Sequence, residues 1–133
     1  MPNISVIYEF PGVFTQYHNN VDLNDPVINT EYLDNINKHW QNGNVSINQS
    51  DNVSARFTGY ITPPTSDTYT IYYHHDNGGR FYFNEQIKID HWVDDVSEQN
   101  FTVQMNTGQN YQIRVEHQDY HGYASADVFW SYR

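Results

Sequence analysis

The segment Thr68-Tyr69-Thr70-Ile71-Tyr72-Tyr73 decides the fold. Tyr69, Ile71 and Tyr73 fall on every second position, with Thr68 and Thr70 between them. Alternate side chains of an extended chain point to opposite faces. A period of two with one wet face is the signature of an antiparallel strand. The same beat recurs outward from this segment. Phe81 and Phe83 share a face in Arg80–Phe83, and Phe101, Val103 and Met105 alternate with Thr102 and Gln104. Tyr111, Ile113 and Val115 alternate with Gln112, Arg114 and Glu116, and Ala126, Val128 and Trp130 share a face near the end. An earlier run, Ala55–Ile61, stops at Pro63-Pro64. Turn residues punctuate the runs: Thr65-Ser66-Asp67, Asn84-Glu85 and Asn106-Thr107-Gly108, where Asn and Gly tolerate the positive φ of tight hairpins. The one stretch with helical spacing is Asn29 to Trp40, where Tyr32, Leu33, Ile36 and Trp40 are suitably placed and Thr30 could cap. The pattern predicts an all-β, antiparallel β-sandwich with one or two short helices in that stretch.

The chain has 133 residues and reads as a single domain over 1–133. Only 38% of it is apolar, but twelve Tyr, seven Phe and three Trp supply bulk enough for a core. The formal charge is −10, a field that repels phosphate backbones and anionic lipid and attracts cations. It argues against nucleic acid as a partner, and no run is long and apolar enough for membrane insertion. With no Cys, thiolate metal sites and cysteine nucleophiles are excluded. The start, Met1-Pro2-Asn3-Ile4-Ser5, has neither the basic nor the apolar part of a secretion signal. No Gly-x-Ser-x-Gly elbow, His-Glu-x-x-His pair or phosphate-cradling loop is present, so a catalyst is not expected.

Chemistry concentrates after the deciding strand, in His74-His75-Asp76-Asn77-Gly78-Gly79-Arg80. Adjacent Asp and Asn offer oxygen ligands of the kind calcium uses. The same four residues, Asp-Asn-Gly-Gly, are also good β-turn composition, and locally the turn is the stronger reading. Arg80 is placed to pin this loop through a carboxylate. His74, His75, His117 and His121 lie near two loops, but His74 and His75 are neighbours on a strand and must point to opposite faces, which disfavours a zinc or nickel site. The acids Asp90, Asp94, Asp95 and Glu98 read as a solvated edge.

Five separated blocks carry a family resemblance. They include Gly12–Tyr17, Ala55–Pro64 with Asp67–Tyr72, Asp76–Phe83, Ile87–Trp92 and Tyr111–Glu116. In this order they resemble the PA-fourteen domain, the β-sandwich of anthrax protective antigen, bacterial glycosidases and adhesins, and yeast flocculation lectins. In the lectin members two consecutive Asp joined by a cis peptide bind Ca2+, and sugar hydroxyls complete the coordination. The resemblance places the first Asp on Asp76 and the second on Asn77, which departs from the pattern. A third side-chain ligand, usually Asn, falls at Asp119, and carbonyls around His121 and Tyr123 would add oxygens. Two carboxylates and one amide are thus conserved in number, though redistributed. Asp76, Asn77, His121 and Tyr123 would then meet the ligand, with Tyr120 and Trp92 bordering the sugar.

What the resemblance implies is a calcium-dependent glycan-binding module, extracellular or at the cell surface, whose weak single-site affinity would be raised by multiple copies. The alternative is a calcium-independent structural or accessory module of a larger adhesin, toxin or glycosidase, a reading to which Asn77 lends weight.

Overall fold

The structure, a computed structural model, describes residues 12–33, 35–40, 52–119 and 124–132. Among these residues the elements are all strands: β1 (Val13–His18), β2 (Val27–Leu33), β3 (Asn37–Trp40), β4 (Val53–Ile61), β5 (Asp67–Asp76), β6 (Gly79–Phe83), β7 (Gln86–His91), β8 (Val96–Met105), β9 (Tyr111–Asp119) and β10 (Ala124–Tyr132). They form a six-stranded sheet in the order β2-β1-β4-β9-β6-β7 and a four-stranded sheet in the order β3-β10-β5-β8. Every pairing is antiparallel. The runs of alternating residues became β4, β5, β6, β8, β9 and β10.

The alternation sets the core. Tyr69, Ile71 and Tyr73 of β5 are fully buried, as are Phe57 of β4, Phe81 of β6, Ile113 and Val115 of β9 and Trp130 of β10. Removing a large side chain of this kind from water stabilises the fold by about 2–3 kcal/mol. Buried tyrosine hydroxyls need partners. Tyr69 donates to the Thr65 carbonyl (2.7 Å) and Tyr73 to the Glu116 carbonyl (2.9 Å), so the second bond ties the two sheets together. Burial raises the Tyr73 hydroxyl pKa, and it stays a donor.

Among the described residues from Asn29 to Trp40 the expected helix does not form. Tyr32 and Leu33 end β2, which pairs with β1 in the six-stranded sheet. Trp40 ends β3, which pairs with β10 in the other sheet. The helical spacing was coincidental, because its members sit in different layers. Tyr32 is 73% exposed and packs on Phe14 with ring centroids 5.1 Å apart, whereas Ile36 is fully buried. Sheet pairing, with Ile36 accepting from Val128 N at 2.9 Å, overrides a weak periodicity.

One polar ladder runs across the outer face of the six-stranded sheet. Glu116 of β9, 3% exposed, lies between Arg56 of β4 (Nε to carboxylate, 3.0 Å) and Arg80 of β6 (2.8 Å). Arg80 also lies 3.9 Å from the ring centroid of Trp92. Its carboxylate partner is therefore Glu116, so Arg80 clamps β6 to β9 directly.

Candidate functional site

Strand ends at one pole of the sandwich meet here. In the four-stranded sheet, β5 ends at Asp76, opposite Val96 of β8 and Ser125 of β10. In the six-stranded sheet, β9 ends at Asp119, opposite Val53 of β4. The chain passes from β5 to β6, and so from one sheet to the other, through Asn77 and Gly78 alone. Two backbone hydrogen bonds close this crossing against β9. Asn77 N donates to Gln118 O and Gln118 N donates to Gly78 O, each at 3.0 Å. Asp76-Asn77 and Asp119 thereby lie at the same pole. Asp76 is half-buried, Asn77 is 6% exposed and Asp119 is fully buried. The Asp76–Asn77 peptide is cis.

Two imidazoles underlie the crossing. His75 continues the inward face of β5 and His117 that of β9, and both are fully buried. His117 Nε2 donates to the Asp76 carbonyl and His75 Nδ1 donates to the Asn77 carbonyl, each at 2.6 Å. The other nitrogen of His75 faces the Gln99 side-chain amide. Burial lowers the pKa of both, that of His117 to about 4. Each is neutral at neutral pH, and its proton sits on the nitrogen that meets a carbonyl. Sequence reasoning treated these histidines only as unlikely metal ligands. The parity of Tyr69, Ile71, Tyr73, His75 and of Tyr111, Ile113, Val115, His117 was the available signal, since it puts both rings inside.

The glycines have a different purpose from the one their turn composition suggests. Left-handed φ values occur at Gly12 and Gly108, not at Gly78 or Gly79. A Cβ on Gly78 would overlap Gln118 Oε1 and stand 2.8 Å from its Cγ and Cδ. One on Gly79 would stand 2.6 Å from Tyr73 Cε2 and 2.7 Å from His75 Cγ. Both positions are occupied by glycine because there is no room for a side chain.

Of the other expected site residues, Trp92 follows β7 at the same pole, partly exposed, with Arg80 against its ring. Tyr120, His121 and Tyr123 lie outside the described residues. Among the described residues no three His, Asp or Glu side chains are grouped as metal ligands. A set that counts an amide is a different donor chemistry. Asp76, Asn77 and Asp119 offer oxygen only, which fits a hard cation and not zinc or nickel. Asp90, Asp94, Asp95 and Glu98 are exposed.

The model of the PA14 domain matches residues 10–133. The chain belongs to the PA14 domain family. This PA14 domain is 30% identical, over 130 residues, to the anti-sigma-I factor RsgI3 of Acetivibrio thermocellus, covering 90% of the chain and 19% of that protein. A solved anti-sigma factor domain-containing protein from Clostridium clariflavum is 28% identical with a TM-score of 0.85, over 92% of this chain and 42% of that one. The PA14 sugar-binding domain from an RTX adhesin has a TM-score of 0.73 at 13% identity, covering 92% of this chain and 90% of that one. The domain thus spans less than half the length of the anti-sigma relatives, while it matches the adhesin domain almost end to end.

Proposed function

We propose that this PA14 domain is a calcium-dependent glycan-binding module. The observation that carries the reading is the closure of the β5–β6 crossing onto Gln118, which gathers Asp76, Asn77 and Asp119 at one pole. Asp76 and Asp119 would hold the ion through carboxylates and Asn77 through its amide oxygen, with carbonyls of His121 and Tyr123 adding to them. The ion, once bound, supplies open coordination positions that a pair of sugar hydroxyls can take. The chain's own residues do the rest. His75 and His117 fix the carbonyls of the ligating pair. Tyr120 and Trp92 would offer apolar surface to a sugar ring. The domain would bind and not catalyse. A relative of the same fold is named as a sugar-binding domain, which supports the ligand class. A glycan ligand would suit a module outside the cell or at its surface.

A second reading is a calcium-independent accessory module. It is favoured by Asn77 in place of Asp and by the longer anti-sigma relatives, of which the domain is a minor part.

Calcium titration with melting decides between them. A ligand that binds only the folded state at about 100 times its Kd adds roughly 2.7 kcal/mol. Wild type should therefore melt higher in millimolar calcium and Asp76→Ala should not. An identical response of the two proteins would favour the accessory reading.

A further inference from the structure

We propose that Gln118 is the positioning residue of this site: its buried side chain couples the β1–β2 loop to the Asp76-Asn77-Gly78 crossing, so that the packing of the loop sets the geometry of the ligating residues. The proposal rests on the calcium reading above and assigns a determinant that reading does not contain.

Gln118 is fully buried and meets two segments at once. Its backbone holds Asn77 and Gly78 through the two 3.0 Å bonds already described. Its side-chain Nε2 donates to the Val21 carbonyl in the β1–β2 loop at 3.0 Å. That bond fixes the amide orientation, because only the NH2 group can donate to a carbonyl. The Oε1, Cδ and Cγ atoms then fill the space that a side chain at residue 78 would need. One face of the glutamine is therefore set by the loop and the other by the crossing.

The loop is stiff enough to transmit its position. Asn20 Oδ1 accepts from the backbone N–H groups of Asp22 and Asn24, each at 3.0 Å, and Asn20 Nδ2 donates to Asn24 O at 2.8 Å. Ser54 Oγ donates to Asn20 O (2.7 Å) and accepts from Leu23 N (3.0 Å). Nδ1 of the buried His18 faces the carbonyls of Asn24 (2.9 Å) and Pro26 (3.2 Å). Leu23, in the middle of the loop, is buried with φ of 59°. The path from Asn20 to Gly78 is short, contiguous and hydrogen-bonded throughout, with Val21 O and Gln118 as its middle links. The same arrangement keeps the exposed Asp22 and Asn24 at the pole that carries the ligating residues.

A residue that only fills space would show additive effects, whereas a coupler would not. Calorimetric titration of calcium chloride into wild type, Gln118→Met, Asn20→Ala and the double variant separates the two. Methionine keeps the volume and charge and loses the donor. Gln118→Met should weaken calcium binding about fivefold, the worth of one hydrogen bond. Asn20→Ala should weaken it about threefold in wild type and not at all in the Gln118→Met background. Multiplying effects, or an unchanged affinity in Gln118→Met, would overturn the proposal. Should Gln118→Met misfold, Asn20→Ala and Ser54→Ala leave β9 intact, and unchanged calcium affinity in both would be equally damaging. If wild type takes up no calcium, the calcium reading fails by itself. The coupling is then read from amide hydrogen exchange at Asn77, whose N–H bonds Gln118 O. Exchange about fivefold faster in Asn20→Ala supports the coupling, and an unchanged rate overturns it.

Discussion

At Asn84-Glu85 and Gly108 the chain turns by backbone conformation, whereas at the Asp76–Gly79 crossing it turns by packing. Asn84 and Glu85 both have positive φ (49° and 67°), the geometry of a two-residue hairpin, and Gly108 has φ of 83°. Nothing crowds a Cβ at Gly108. Asn84 also ties its turn to β9, through N–H to Gln112 O (2.8 Å) and through Oδ1 accepting from Gln112 N (3.0 Å). At the crossing neither Gly78 nor Gly79 is left-handed. The backbone of the crossing is held instead at the Asp76 carbonyl by His117, at the Asn77 carbonyl by His75, and at Asn77 N and Gly78 O by the backbone of Gln118. The first kind of turn needs residues that tolerate its φ. The second is fixed by close packing and by hydrogen bonds from His75, His117 and Gln118.

Substitution at the packed pole should give the largest effect. Gly79→Ala forces a methyl group between Tyr73 and His75, two buried rings in the middle of the sandwich. Overpacking of this kind costs about 3 kcal/mol or more, and urea denaturation should show it as a lower midpoint with an unchanged slope. A loss below about 1 kcal/mol would mean the pole is as adaptable as the hairpins.

Acid should find the same weakness. The His117 pKa is lowered from 6.5 to about 4, chiefly by burial, so the unfolded chain binds its proton more readily than the folded one. The stability held by neutral His117 is complete above pH 6.5. It falls as the pH drops toward about 4, by up to roughly 3 kcal/mol, and then levels. His75 shifts in the same direction and adds to the slope. Denaturation in chelator across this window should show the loss in wild type and a shallower one in His117→Gln. Parallel profiles would locate the acid sensitivity elsewhere.

The hairpin should respond least, and with the opposite sign. Glu85→Gly removes the Cβ penalty at φ of 67° and gives up only an exposed 3.6 Å pairing with Arg114. A gain of about 0.5–1 kcal/mol is expected in thermal denaturation. A loss would show that the side chain of Glu85 matters more than its backbone.

The same contrast explains what could be read beforehand. Six of the strands were legible because alternation is a local property, and the hairpin at Asn84-Glu85 because Asn84 tolerates the positive φ it adopts. The stretch from Asn29 to Trp40 misled because pairing with β1 and β10 is non-local, and four apolar residues imitated a helix across two sheets. At the candidate site, Asp76, Asn77 and Asp119 were placed by family resemblance. Gln118 was invisible, since a glutamine on a strand carries no sign of the Val21 carbonyl it meets. The histidines were readable in principle from strand parity, but their partners were not.

A glycan array read in calcium and again in chelator, with wild type and Asp76→Ala side by side, tests the function most directly. Wild type should retain specific sugars in calcium and lose them in chelator, and Asp76→Ala should retain none in either. The same sugars held by wild type in chelator, or by Asp76→Ala, would contradict an ion-bridged site at this pole.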